Sequence, residues 1–141
     1  MSLLCWLPGE GPFQTGLRRC LQTGRDGWSV EYLSSLRSLL LRLSGRACGP
    51  ETVILLEADS KTLDRLLERG ELFSDIPLVL LLTEEDQSAL AKGHLLQPRF
   101  MTGMAGDPGP VKQVLCNLMK RRQLENQMVD LPKAAGAGDN G

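Results

Sequence analysis

The sequence predicts one α/β domain in which a five-stranded, doubly wound parallel sheet lies between two layers of helices. Five apolar stretches alternate with five stretches of helical periodicity. The central stretches, TVILLE from Thr52 and PLVLLLT from Pro77, are almost wholly apolar, as in parallel strands covered on both faces. A chain of 141 residues is also about the length of one domain with one core.

The first strand is SLLCWLP, from Ser2, which is too continuously apolar for a half-exposed antiparallel strand. Gly9-Glu10-Gly11 follows, and Pro12 suits the first turn of a helix. Thr23-Gly24 ends that helix. Its apolar positions recur at helical spacing: Phe13, Leu17, Cys20 and Leu21.

The second strand, WSVEYLS from Trp28, alternates and is rich in β-forming residues, which predicts a more exposed edge strand. The second helix ends around Gly45 and Gly49-Pro50 and carries an apolar stripe of Leu36, Leu39, Leu40 and Leu43. After the third strand, TVILLE, Asp59 or Ser60 can cap the third helix. That helix places three leucines on one face: Leu63, Leu66 and Leu67.

The fourth strand, PLVLLLT, is the most hydrophobic run in the chain. Residues 84–86 are acidic and suit the positive end of the fourth helix, in which Leu90 is the clearest apolar residue. RFMTGM, from Arg99, is a short fifth strand, and Asp107 or Gly109 leads into Pro110 and the fifth helix. The apolar face of that helix consists of Val111, Val114, Leu115, Leu118 and Met119.

Right-handed crossovers and an exposed second strand predict the strand order 2-1-3-4-5. We expect the folded domain to span residues 1–123, and residues 124–141 to form a helix extension and a flexible tail or linker. The tail begins at Pro132, after which the residues are small and polar. In this topology a functional site lies beyond the carboxyl ends of the strands, near the switch between strands one and three.

Composition excludes several classes of function. The formal net charge of −1 does not favour nucleic acid or an anionic membrane as a partner. No segment approaches the roughly 20 apolar residues of a membrane span, and the N-terminus lacks the basic region of a signal peptide. The cysteines lack C-x-x-C spacing and predict reduced thiols, without a disulfide or metal site: Cys5, Cys20, Cys48 and Cys116. A cytoplasmic location is the expectation.

The order βαβαβαβαβα, the length and the apolar third and fourth strands resemble the response-regulator receiver family of two-component signalling. The resemblance covers Leu3 to Gln123 and implies a flavodoxin-like three-layer sandwich. In receivers, an aspartate ending strand three accepts a phosphoryl group, and two acidic residues after strand one help to hold Mg²⁺. A Ser or Thr ending strand four and a Lys ending strand five bind the phosphate. This chemistry needs a hard cation and fixed positive charge.

The resemblance places the acidic pair on Pro8 and Gly9, which offer no metal-binding side chain, and leaves Glu10 one residue late. Glu57 stands at the phosphoacceptor position. Thr83 is close to the expected hydroxyl position, although it arrives one residue late and Leu82 competes for the place.

In strand five, Thr102 stands where the lysine is expected, and Gly103 where a proline commonly follows. The sequence is therefore interpreted as a degenerate receiver, a pseudo-receiver that is not an enzyme and holds no metal or cofactor. We expect it to act by protein–protein interaction.

Two alternatives stay open at this stage. One is an active phosphoacceptor of a phosphorelay that uses Glu57 or Asp59. The other is a small-molecule or flavin-binding domain that uses the glycine-rich first loop. That loop matches neither the Walker A motif nor the glycine fingerprint of dinucleotide-binding domains. Glu57 is either a mimic of the phosphorylated state or a strand end in water, with Asp59 as the cap of the next helix.

The candidate interaction face is the one that receivers commonly use, formed by helix four, strand five and helix five. We expect a protein partner, an output domain or a second copy of the chain to dock there. Its candidate residues are Lys92, His94, Phe100, Lys112, Lys120, Arg121 and Arg122. His94 is the chain's single histidine and is predicted to lie on the surface.

Overall fold

The computed structural model describes residues 2–22, 28–45 and 52–135, with side chains described as far as Leu124. Strands and helices alternate along these residues. The strands are β1 (Ser2–Trp6), β2 (Ser29–Tyr32), β3 (Thr52–Ala58), β4 (Leu78–Leu82) and β5 (Phe100–Gly103). The helices are α1 (Pro12–Leu21), α2 (Leu36–Ser44), α3 (Ser60–Glu68), α4 (Gln87–Leu95) and α5 (Gly109–Ala135), with a 3₁₀ turn at Gly70–Phe73.

The five strands form one parallel sheet in the order β2-β1-β3-β4-β5, which confirms the predicted fold class. Every residue of β3 and β4 is buried, as their apolar composition requires. β2 is mostly exposed at the edge of the sheet. The carboxyl ends of β1 and β3 lie side by side, with Trp6 opposite Leu56, so the switch in strand order is where the sequence placed it.

Two hydrophobic cores cover the two faces of the sheet. Side chains alternate along each strand, so Ile54 and Leu56 enter one core while Val53 and Leu55 enter the other. The first core includes buried residues of α2, α3 and α4. The second includes residues of α1 and α5, among them Leu17 and Leu115.

Side chains cap three of the helices. The Ser35 hydroxyl accepts a hydrogen bond of 3.0 Å from the Ser38 amide at the start of α2. Asp59 and Asp86 do the same for α3 and α4, each at 2.8 Å. Of the two predicted caps for α3, Asp59 is the N-cap and Ser60 is the first helical residue.

α5 is longer than the sequence indicated. Its backbone continues to Ala135 and therefore includes Pro132, where the tail was predicted to begin. The rest of the predicted tail, the predicted helix ends at Thr23-Gly24 and Gly49-Pro50, and Cys48 lie outside the described residues. In the part of the chain that is described, no helix is both long enough and apolar enough to cross a membrane.

Cys5 shows how completely the central strands are buried. Its side chain is 0% exposed in β1. Burial raises the pKa of the thiol to about 12, an effect that the positive charge of Arg18 partly opposes. The thiol is therefore protonated and behaves as a small apolar side chain.

Candidate functional site

Glu57 lies at the carboxyl edge of β3 and faces the α1–α5 side of the sheet, because it lies two residues after Leu55 and four after Val53, on the same face of the strand. Its side chain is only 5% exposed, so the interpretation of Glu57 as a strand end in water is wrong. The strand continues through Ala58, which keeps Glu57 inside the sheet. The backbone amide of Gly9 donates a hydrogen bond of 3.1 Å to Glu57 Oε1.

Arg18 of α1 holds the loop that carries Gly9. Its Nη2 atom donates to the carbonyl of Leu7 and, at 2.9 Å, to the carbonyl of Gly9. The guanidinium group of Arg18 thus donates to two carbonyls of the loop, and the amide of Gly9 donates to Glu57. These contacts fix the backbone of the β1–α1 loop at the switch point of the sheet.

Gln14 is a buried polar residue of this site that the sequence reasoning missed. It is 8% exposed and lies in the first turn of α1. A Cβ atom on Gly9 would come within 2.6 Å of Gln14 Nε2 and 2.7 Å of Glu57 Oε2, so the space beside Gly9 is already filled. The available signal was its spacing, because Gln14 precedes Leu17 by three residues and Leu21 by seven, on the buried face of α1.

The positions of the expected acidic pair do not fit a Mg²⁺ site of the receiver kind. Pro8 and Glu10 are exposed, and Gly9 has no side chain. Glu57 is the carboxylate at the centre of the site, and its Oε1 accepts from the Gly9 amide. Among the described residues, no group of three or more His, Cys, Asp or Glu side chains is placed to hold a metal ion.

Asp59 is separated from Glu57 in both environment and role. It is exposed and caps α3 by accepting a hydrogen bond from the Thr62 amide. The backbone and side-chain hydrogen bonds from Thr62 lower the pKa of the Asp59 carboxyl below its ordinary value, and the nearby Lys61 charge acts in the same direction. The predicted capping role of Asp59 is confirmed.

Thr83 follows the end of β4 and lies at the same edge of the sheet. Its amide donates to the Ala58 carbonyl at 3.1 Å, and its hydroxyl points to the same oxygen at 3.4 Å. Leu82, the competing candidate, is 1% exposed and belongs to the core beneath α2, α3 and α4. Thr83 therefore supplies the hydroxyl at this edge, where it lines a cavity of about 370 Å³ together with Gln14 and Glu85.

Thr102 lies in the same row of the sheet as Glu57, with Leu81 between them, because Glu57 pairs with Leu81 and Leu81 with Thr102. Two strand spacings separate Glu57 from Thr102, about 9.6 Å. A long lysine side chain could extend toward Glu57 from this row, but a threonine side chain is too short. A Cβ atom on the next residue, Gly103, would overlap the carboxylate of Glu85, which therefore lies against the other face of β5.

Two lysines of the candidate interaction face contact neighbouring elements of the same chain. The Lys92 ammonium lies 2.8 Å from Ser60 Oγ and 3.0 Å from Asp64 Oδ1, so it joins α4 to α3. Lys112 donates to a carbonyl of α1 at 3.3 Å and lies 5.8 Å from the centre of the Trp28 ring. Both lysines are long enough to reach neighbouring elements, which sequence spacing alone does not reveal.

The other candidates on that face differ in exposure. His94, Lys120 and Arg121 are exposed, while Phe100 is half-buried and packs against the α1–α5 core. Arg122 is half-buried, and its Nε atom has no hydrogen-bond partner among the described residues. Three of the seven candidates are thus exposed and four are half-buried. An exposed leucine that the sequence reasoning did not name, Leu95, lies beside His94 on α4 and is 69% exposed.

No protein-family model matches the sequence, and no curated protein matches it either. Solved structures do match. The chain is similar to the N-terminal domain of a response regulator/sensory box/GGDEF three-domain protein from Carboxydothermus hydrogenoformans, with 11% identity and a TM-score of 0.61. That match covers 89% of this chain and 98% of the other.

Two further matches are response regulators. The chemotaxis response regulator CheY4 of Vibrio cholerae has 15% identity and a TM-score of 0.59, with coverage of 83% of this chain and 97% of that one. A CheY-like response regulator from Mesorhizobium loti has 13% identity and a TM-score of 0.60, with coverage of 86% and 97%. The backbone of this chain therefore has the flavodoxin-like α/β fold of response-regulator receiver domains.

Proposed function

We propose that this chain is a non-catalytic, receiver-like signalling module that acts through protein–protein contacts, independently of aspartyl phosphorylation. The hydrogen bond between the Gly9 amide and Glu57 carries the proposal. Where receivers have an acidic side chain that helps to bind Mg²⁺, this chain has a neutral backbone donor that already satisfies the carboxylate. The buried Glu57 carboxyl group thus has a hydrogen-bond partner within the protein, as most buried polar groups do.

The electrostatics at the other end of the site support the same proposal. Phosphoryl transfer builds negative charge on the transferred group and depends on fixed positive charge around it. Here the row that begins at Glu57 ends on the neutral Thr102, and the Glu85 carboxylate lies against Gly103. The position at which receivers supply a lysine therefore carries no positive charge in this chain.

The proposal is tested by exposing the protein to radiolabelled acetyl phosphate with Mg²⁺, and separately to beryllofluoride with Mg²⁺ while the backbone amides are followed by NMR. We expect no label uptake and no saturable shift at Gly9, Glu57, Thr83 or Thr102. If the parent protein took up label and the Glu57→Gln or Asp59→Asn variant did not, the substituted residue would be an active phosphoacceptor, and the proposal would be overturned. A receiver domain with the complete acidic pair and lysine serves as the positive control.

The proposed partners are proteins, either a separate output protein or a second copy of the chain, in the cytoplasm. Lys120 and Arg121 are exposed on α5, but the chain as a whole carries a net charge of −1. A short cationic cluster at that overall charge supplies little of the phosphate neutralisation on which nucleic-acid binding depends. Nucleic acid is therefore not among the proposed partners.

A further inference from the structure

A groove runs along the surface between α2 and α3. α2 packs on β1 and on the 3₁₀ turn, whereas α3 packs on α4 and β3, so neither helix has the other as its main packing partner. Two cavities open between them, one of about 520 Å³ near the carboxyl ends of the strands and one of about 290 Å³ farther along the helices. Leu36 and Arg65 line both cavities, which makes the groove continuous.

The floor of the groove is apolar. The half-buried Trp6 lies at one end, beside Leu36, and the half-buried Leu40 continues the floor along α2. Leu41 stands on the rim with 63% of its surface exposed. An apolar groove with an exposed leucine at its rim offers a docking partner hydrophobic area that is otherwise in contact with water.

The rim is basic although the chain is not. Four cationic side chains line the groove: Arg37, Lys61, Arg65 and Arg69. Two carboxylates also line it, and one of them, Asp59, is engaged in capping α3. Arg69 pairs with Glu71 at 3.0 Å, but Arg37 and Arg65 form no ion pair with another described side chain. The groove thus gathers positive charge in a chain whose net charge is −1.

We propose that this groove binds an acidic, amphipathic helix of a partner protein. α2 and α3 each have nine residues, so the groove is about 13.5 Å long, the length of two to three helical turns. A helix laid along it would place apolar side chains on Trp6, Leu36 and Leu40 and carboxylates against Arg37 and Arg65. The inference names the partner surface of the proposed signalling module and rests on that function.

The test uses a capped helical peptide of about 15 residues, with leucines along one face and glutamates elsewhere. A matched peptide carries lysine in place of every glutamate. The chain has two tryptophans, so Trp28→Phe leaves Trp6 as a fluorescent reporter inside the groove. We expect the acidic peptide to change Trp6 fluorescence saturably and the basic peptide to bind at least about tenfold more weakly.

Charge-reversed variants locate the binding. We expect Arg37→Glu and Arg65→Glu each to weaken the acidic peptide at least about tenfold, because like charges would then face each other. Arg19→Glu is the matched control, since Arg19 is exposed on α1, which covers the opposite face of the sheet. We expect it to bind as the parent does. Leu41→Ser tests the apolar contact without a change of charge, and circular dichroism checks that each variant is folded.

Three outcomes would overturn the inference: no saturable response, equal binding of both peptides, or equal binding by the Arg65→Glu and Arg19→Glu variants. A response to anionic phospholipid vesicles but not to the acidic peptide would overturn it as well. None of these results bears on phosphorylation. Conversely, label uptake from acetyl phosphate would remove the proposed function while leaving the measured peptide affinity unchanged, so the two failures are distinguishable.

Discussion

The amide of Gly9 and the carboxylate of Glu57 are joined by a hydrogen bond of 3.1 Å that spans 48 residues of sequence. It ties the loop after β1 to the adjacent central strand, at the point where the strand order of the sheet switches. Arg18 holds the same loop, because its guanidinium group donates hydrogen bonds to the carbonyls of Leu7 and Gly9. The corner that resembles a phosphorylation site is therefore internally hydrogen-bonded.

Gly9→Ala should destabilise the fold. A Cβ atom at Gly9 would lie 2.6 Å from Gln14 Nε2 and 2.7 Å from Glu57 Oε2, so the loop or the two side chains must move. We expect a loss of about 1–3 kcal/mol in the free energy of unfolding, measured by urea denaturation. Gly70→Ala is the control, because a Cβ atom there would have no atom within 4 Å. Equal stability of the two variants would contradict the tight packing at Gly9.

Glu57→Ala should also destabilise the protein, by about 1–3 kcal/mol, because the Gly9 amide would lose its acceptor in a poorly hydrated corner. Glu57→Gln retains a carbonyl oxygen, and we expect it to lose less than the alanine variant. Glu68→Ala serves as a surface control on α3. Urea denaturation of the three variants measures the differences, and an alanine variant as stable as the parent would show that the hydrogen bond contributes nothing.

Much of this fold could be predicted because its strands are marked by apolar composition. β3 and β4 are almost wholly apolar and proved wholly buried, and their flanking residues Asp59 and Asp86 proved to be caps. α4 was harder, since it packs through Ala89 and Gly93 and hydrophobicity gives small residues little weight. A Cβ atom on Gly93 would overlap the sulfur of Met101, a closeness that only the tertiary structure reveals.

The site was less predictable than the fold. The sequence placed Glu57 at the phosphoacceptor position but left open whether it ends the strand in water, because nothing in TVILLEA marks where the strand ends. Lys92 and Lys112 were assigned to one face, yet each reaches a different neighbour across the tertiary structure. Long side chains choose partners that are distant in sequence, as Lys112 does in reaching a carbonyl 92 residues away.

Asp59→Ala should remove the cap of α3 and destabilise the protein by about 1 kcal/mol near neutral pH. Since the folded-state pKa of Asp59 is lowered, its contribution is complete above the ordinary aspartate pKa and disappears as pH falls through the folded-state value. The difference in stability between the parent and Asp59→Ala should therefore disappear under acidic conditions. Thermal unfolding at neutral and acidic pH measures this convergence.

Asp59→Asn provides the control for charge, because an asparagine oxygen can still accept from the Thr62 amide. We expect this variant to keep most of the stability at neutral pH and to lose the acid dependence assigned to Asp59. A difference between parent and Asp59→Ala that stays constant from neutral to acidic pH would contradict the lowered pKa.

A second copy of the chain is the proposed partner at the surface formed by α4, β5 and α5. Leu95 is 69% exposed there, next to the exposed His94. A second copy that covered Leu95 would remove its apolar surface from water, which would stabilise the dimer. We expect sedimentation equilibrium to show a dimer whose population grows with concentration, and Leu95→Glu to weaken it at least about tenfold by burying an unpaired charge. Tyr32→Glu is the control, because Tyr32 is 43% exposed in β2, at the opposite edge of the sheet from β5. A monomeric mass at every concentration, or equal weakening by both variants, would remove this surface from consideration, while leaving the α2–α3 groove to be tested by its own peptide.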